Sequence, residues 1–266
     1  MWQLLDKNLS SRFILGTALY PSIDLMLESI ETSKTHCVTV SLKRSLAQGK
    51  SQKENRFWQS LKETKCHILP NTAGCRNYKE AVTMAEMARD IFKTNWIKVE
   101  VIGDDYNLQP DPFELLKACE ILIEKGFEIL PYCTDDLILA KRLVEMGAKV
   151  LMPWAAPIGS GKGIINPYAL SVLRERFPDI TLIIDAGIGL PSEAAFIMEM
   201  GFDGVLLNSA VALSGNPPLM AKAFSNAILA GRDAYLAKRM PQREMAKPST
   251  NLMETPFWQV NPKKLS

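Results

Sequence analysis

Histidine is nearly absent from this chain of 266 residues, and cysteine is sparse: His36 and His67 are the two histidines, and Cys37, Cys66, Cys75, Cys119 and Cys133 the five cysteines. The cysteines are odd in number and scattered, with no C-x-x-C pair. That argues against a zinc or disulfide framework and suits reduced thiols in a cytosol-like compartment. An excess of charge is also missing: 31 Lys and Arg stand against 29 Asp and Glu, a net charge of +2. So small a balance gives no general attraction to nucleic acid or to a membrane surface. No apolar run reaches the roughly 18 residues of a membrane-spanning helix, and the opening MWQLLDKNLSSRF lacks the apolar core of a secretory signal. A soluble, non-secreted protein is expected. Low-complexity blocks and Gly/Ser linkers are lacking too, which leaves one domain of barrel size.

What is present is a rhythm of short β-like runs and longer helical patterns. Strands are expected at 12–18, 37–43, 67–73, 96–103, 128–134, 149–155, 181–188 and 204–211. Helices are expected at 21–34, 78–92, 112–125, 135–146, 167–177, 191–200 and 217–238, with a weaker, polar one at 51–65. Asp111-Pro112, Asn166-Pro167 and Asn216-Pro217 each set a side-chain acceptor before a proline at the first helical position, and Glu114 completes a capping-box pattern with Asp111. Eight such units of about thirty residues, with strands too apolar for one-sided exposure, predict a (β/α)8 TIM barrel over residues 1–238. Residues 239–266, with four prolines and no period, read as a C-terminal tail, either a lid or disordered.

The stretch WIKVEVIG, 96–103, carries the functional signal. Its period of two puts Ile97, Val99 and Val101 on one face and Trp96, Lys98, Glu100 and Ile102 on the other. If the aliphatic face meets the helices, Lys98 and Glu100 point into the barrel, where a charge is costly unless paired or used. A lysine so placed can be tuned toward the free amine that attacks a ketone. Asp185 ends the seventh strand, facing the same mouth. A lysine with two carboxylates can form an imine and move protons around it without a metal. The bland alternatives are a buried ion pair for Lys98 and Glu100 and a turn cap for Asp185.

Small residues cluster where such barrels hold phosphate, after strands seven and eight: Asp185-Ala186-Gly187-Ile188-Gly189 and Leu207-Asn208-Ser209-Ala210. The loop after strand six, 156–163, adds Gly159, Gly161 and Gly163 at the same rim. Three neighbouring loops of this kind favour an anion site over tight turns alone. The GSGKG run within them is not a P-loop, because Ala156 stands where that motif needs Gly and Gly163 where it needs Ser or Thr. His36 and His67 open strands and so lie at the opposite rim. Asp104-Asp105 and Asp135-Asp136 read as turns or caps, and Cys133, with no histidine beside it, as filler. Lys43-Arg44 closes strand two at the functional rim.

On these residues the sequence resembles the thiazole synthase family of thiamine biosynthesis. The matching blocks run in order across most of the chain: Ile14-Leu15-Gly16-Thr17, Leu69-Pro70-Asn71-Thr72-Ala73-Gly74, Ile97 to Gly103, Pro110-Asp111-Pro112, Leu130-Pro131-Tyr132, Pro157 to Gly161, Asp185 to Gly189 and Gly204 to Val211. The resemblance implies an imine between Lys98 and the C2 ketone of 1-deoxy-D-xylulose 5-phosphate, with Glu100 and Asp185 as its acid/base pair. It implies substrate and phosphate contacts from Gly159, Ala186, Gly187, Asn208 and Ser209. Sulfur would come from the thiocarboxylate of a small ubiquitin-like carrier protein, and dehydroglycine would supply the remaining carbon and nitrogen. No cofactor and no metal belong to this chemistry; a homo-oligomer in the cytoplasm or plastid stroma does. Two departures stand out: Trp154-Ala155-Ala156 fills an interval in which the family commonly has a glycine, and Lys43-Arg44 replaces a usual pair of arginines. The competing readings are a Schiff-base aldolase acting on a sugar phosphate and a phosphate-binding scaffold for a sulfur carrier without catalysis.

Overall fold

Eight short parallel strands close into a ring. In the computed structural model, which describes residues 1–42 and 52–249, they are β3 (Phe13–Gly16), β4 (Cys37–Ser41), β5 (His67–Asn71), β6 (Trp96–Val99), β7 (Glu128–Cys133), β8 (Val150–Pro153), β9 (Thr181–Asp185) and β10 (Gly204–Leu207). Strand β10 pairs with both β9 and β3, which seals the barrel. The helices are α1 (Ile23–Ser33), α2 (Gln52–Glu63), α3 (Tyr78–Phe92), α4 (Pro112–Glu124), α5 (Leu137–Glu145), α6 (Pro167–Arg176), α7 (Pro191–Glu199), the single turn α8 (Ser209–Ala212) and the long α9 (Pro217–Ala237). This is the (β/α)8 barrel expected from the sequence. Each strand is shorter than the run expected for it.

The alternation along β6 does what its pattern implies. Ile97, Val99 and Val101 join the apolar layer between sheet and helices, whereas Trp96 packs inside the ring with Ile14, Leu69, Leu130, Met152 and Ile183. Each fully buried side chain of this size contributes about 1.5–3 kcal/mol, so slipping the register by one residue would cost the barrel both layers at once.

An N-terminal hairpin, β1 (Trp2–Leu4) and β2 (Lys7–Leu9), was not anticipated. Trp2, Leu4 and Leu9 are buried among the interior residues, and Trp96, the first residue of β6, donates its indole N–H to Asp6 at 2.8 Å. The hairpin thus plugs the N-terminal end of the ring. The cavity that holds Lys98 lies toward the C-terminal ends of the strands, where catalytic residues of this fold collect.

Helix starts follow their caps. Asp111 accepts from the backbone N–H groups of Phe113 and Glu114, Asn166 from Ala169 and Asn216 from Leu219. The expected capping box at α4 does not form. The Asp111 N–H is already bonded to the Val101 carbonyl, and Glu114 accepts instead from the N–H of Tyr78, the first residue of neighbouring α3. Glu114 therefore ties two helices together rather than one helix to its cap. Residues 239–249 follow α9 as exposed chain without helix or strand; the rest of the expected tail, and Lys43-Arg44, lie outside the described residues. Among the described residues no helix is long and apolar enough to cross a membrane.

Candidate active site

Strand β6 delivers Lys98 into the barrel, and the chain just beyond it delivers Glu100 to the same side. Three bonds to Thr72 hold this segment: the Thr72 N–H donates to the Lys98 carbonyl at 3.1 Å, its hydroxyl to the Glu100 carbonyl at 2.7 Å, and the Glu100 N–H donates back to that hydroxyl at 2.8 Å. Thr72 is fully buried and continues the chain after β5, so it makes up for the ladder that β6 gives up at Val99. Asn71 beside it donates to the Thr39 hydroxyl at 3.0 Å. Neither residue had been singled out; the Leu69 to Gly74 block was their only trace in the sequence.

Lys98 Nζ lies 2.6 Å from Asp185 Oδ2 and 3.4 Å from Glu100 Oε2. All three residues are deeply buried, at 5 %, 3 % and 6 % exposure. Burial alone would push the Lys98 amine toward its neutral form, but the charges of Asp185 and Glu100 outweigh it and hold the pKa above the ordinary lysine value. This reverses the expectation of an amine tuned toward the free base: the resting site holds an ammonium. Burial also raises both carboxyl groups above their usual range, opposed by Lys98, and Asp185 raises Glu100 further. At these separations a proton can pass between the amine and either carboxyl group.

Above the cluster opens a cavity of about 850 Å³ lined by Lys98, Glu100 and Asp185 together with Gly159, Ala186, Gly187, Asn208 and Ser209. The structure brings together every residue singled out for the site. Ala186 and Gly187 have φ of 72° and 83°, two successive left-handed residues that turn the chain sharply out of β9. Gly187 has no alternative, since a Cβ would stand 2.3 Å from the Ala156 nitrogen. Across the mouth, a Cβ on Gly159 would lie 3.8 Å from Ser209 Oγ, so the loops after β8 and β10 face each other closely. Asn208 also braces the mouth, its Oδ1 accepting from the Ala18 N–H at 3.2 Å.

Trp154 is buried beside the cavity. It packs with Ile102 and Tyr132, its backbone bridges to Asp185 across β8 and β9, and its indole donates to Asp135 at 3.0 Å. Asp136 caps α5, Asp104 accepts from Tyr106 and Asn107 in a turn, and Asp105 pairs with Arg76. Asp136 and Asp104 are the cap and the turn residue their positions suggested, whereas Asp135 and Asp105 instead meet the side chains of Trp154 and Arg76; no group of side chains suited to a metal occurs among the described residues. His67 opens β5 at the far rim against Trp96, and His36 precedes β4 with its ring bonded to Ser10.

A closed (β/α)8 barrel with a buried lysine between two carboxylates, set beneath a mouth of small-residue loops, belongs to the barrel enzymes. The family model described as thiazole biosynthesis protein ThiG matches residues 3–251. Thiazole synthase of Coxiella burnetii (strain RSA 331 / Henzerling II) is 56% identical over 97% of this chain and 98% of its own length. That of Cupriavidus pinatubonensis is 53% identical over 96% and 92%. Among solved structures, the Amycolatopsis orientalis BexX/CysO complex superposes with a TM-score of 0.81 at 28% identity, covering 92% of this chain and 98% of the matched one. The chain belongs to the ThiG thiazole biosynthesis family and is an enzyme of the thiazole synthase class.

Proposed function

We propose that this enzyme condenses 1-deoxy-D-xylulose 5-phosphate, dehydroglycine and carrier-borne sulfur into the thiazole phosphate carboxylate precursor of thiamine, through an imine on Lys98. The single observation that carries the reading is Lys98 Nζ lying between Asp185 and Glu100 at the base of the cavity that the three small-residue loops also line. The sugar's phosphate sits at Gly159, Ala186, Gly187, Asn208 and Ser209, where backbone N–H groups approach an anion closely. One carboxylate takes a proton from the ammonium, and the freed amine adds to the C2 carbonyl. Loss of water, protonated by the same acid, leaves the imine.

A carboxylate then removes the proton from C3, and the electron pair moves into the C2–C3 bond to give an enaminol. Protonation at C2 and loss of the proton on O3 place the carbonyl at C3. Sulfur enters there from the thiocarboxylate of a small ubiquitin-like carrier protein. Dehydroglycine supplies the last carbon and nitrogen, and ring closure with loss of water releases Lys98. The likeness to a chain crystallised as the BexX/CysO complex supports a protein partner at the mouth. The bacterial relatives support a cytoplasmic location, and the family resemblance a homo-oligomer.

Borohydride reduction in the presence of 1-deoxy-D-xylulose 5-phosphate tests the first step, with a stable adduct on Lys98 as the expected result. Adding dehydroglycine and thiocarboxylated carrier tests the rest. Release of a thiazole supports the proposal; an adduct that never yields thiazole points to an aldolase, and no adduct at all to a scaffold.

A further inference from the structure

Tyr132 stands on the inward face of β7, pairing across to Met152 of β8, with 0 % of its surface exposed. Its ring centre lies 5.3 Å from Lys98 Nζ. Its hydroxyl oxygen is buried with no hydrogen-bond partner among the described residues. The nearby Trp154 indole N–H, by contrast, is satisfied by Asp135. A buried hydroxyl without a partner is destabilising, and a phenylalanine would fill the same space without that cost. The hydroxyl makes sense if its partner arrives with the substrate.

The protonation state of Tyr132 is set by its surroundings. Burial, and after it the charges of Asp185 and Glu100, push the phenol pKa upward, so it remains a neutral O–H donor and does not compete with the carboxylates as a base. The ring centre lies 5.3 Å from Nζ, so the first substrate atoms joined to that nitrogen are formed beside this side chain. In the reaction proposed above those atoms are C2 and its substituent C3. We propose that the Tyr132 hydroxyl is a further catalytic group, donating a hydrogen bond to O3 of the sugar while O3 loses its proton to a carboxylate and becomes the carbonyl.

The step is balanced without another reactant. The enaminol gains a proton at C2 and loses one from O3, the C2–C3 double bond becomes single and the C3–O bond becomes double. Partial negative charge develops on O3 as its proton leaves, and a fixed donor in a dry site acts most strongly on charge that appears only in the transition state. The inference rests on the Lys98 imine and deepens it, since it concerns the conversion of that adduct rather than its formation.

The test is borodeuteride reduction of enzyme and 1-deoxy-D-xylulose 5-phosphate at increasing times, for wild type and Tyr132→Phe. Reduction of the imine places deuterium at C2, and reduction of the isomerised ketone places it at C3; fragmentation of the labelled Lys98 peptide tells them apart. Tyr132→Phe should form total adduct at the wild-type rate but acquire the C3 label at least about tenfold more slowly, with a melting temperature no lower than that of wild type. Conversion at the wild-type rate overturns the proposal. So does failure of the variant to form adduct, or a lowered melting temperature, because the hydroxyl then serves the resting structure. Absence of adduct in wild type removes the Lys98 reading itself and this inference with it.

Discussion

Replacing Asp185 by Asn is the most informative single perturbation of the lysine cluster. The variant keeps the shape of the side chain but removes the charge 2.6 Å from Lys98 Nζ. At an effective dielectric constant of about 20, that contact corresponds to a Coulomb attraction of about 6 kcal/mol. Burial opposes that attraction, and the charge of Glu100, which acts in the same direction as Asp185, remains in the variant. Removing the Asp185 charge therefore lowers the Lys98 pKa. The sign follows from the resting state: Lys98 is raised above the ordinary lysine value by Asp185 and Glu100, so removing one of them lets the free amine appear at lower pH. The initial rate of borohydride-trapped adduct, measured from pH 6 to pH 10, should therefore climb at lower pH in Asp185→Asn than in wild type. Overall turnover should fall by about 10²–10⁴-fold with the loss of one acid/base group. Thermal melts run alongside establish that the variant is folded, and Glu100 remains to pair the ammonium. A trapping profile that stays in place or moves to higher pH refutes the argument that Asp185 holds Lys98 protonated.

Other perturbations probe the remaining links. Lys98→Ala leaves two buried carboxyl groups whose folded pKa values burial already raises; stability should be full below the unfolded value of about 4 and decline as pH rises through the folded values, so the melting temperature relative to wild type drops from pH 5 to pH 8. An unchanged difference across that range would remove the assigned burial effect. Gly187→Ala places a methyl group against Ala156 at a left-handed position, and inorganic phosphate should compete with the sugar phosphate about 10- to 100-fold less well while the circular dichroism stays that of a barrel. Trp2→Ala empties the plug under the barrel and should cost about 3–5 kcal/mol in urea unfolding, with little effect on adduct formation because the hairpin lies at the end away from the mouth.

The barrel was legible because its strands are buried on both sides and its helices carry explicit starts. Alternation placed Ile97, Val99 and Val101 outward and Lys98 inward without knowledge of any neighbour, and Asp111, Asn166 and Asn216 marked helix starts that the structure reproduces. The hairpin escaped because three-residue strands are too short for a period to register, although Trp2, Leu4 and Leu9 are its buried positions. Glu114 looked like half of a capping box because spacing carries no information on whether the Asp111 N–H is already taken by a distant carbonyl.

At the candidate site, position was readable and electrostatics were not. Strand-end residues such as Asp185 and Gly187 could be assigned to the mouth by the geometry of the fold. The protonation of Lys98 depends on its distances from Asp185 at the end of β9 and from Glu100 two residues further along its own segment, and the balance between burial and paired charge came out opposite to the expectation. Thr72 and Asn71 went unnoticed for a related reason: small polar residues acquire meaning only when the backbone groups they satisfy are known. Trp154, a departure from the usual family sequence, proves to be buried against Ile102 and Tyr132 with its indole N–H satisfied.

The most direct test of the account is mass mapping of the borohydride-reduced protein after incubation with 1-deoxy-D-xylulose 5-phosphate. The sugar's mass, less water and plus two hydrogens, should appear on the peptide containing Lys98 and vanish in Lys98→Ala. A reduced adduct on another lysine, or the same labelling in the variant, contradicts the central claim.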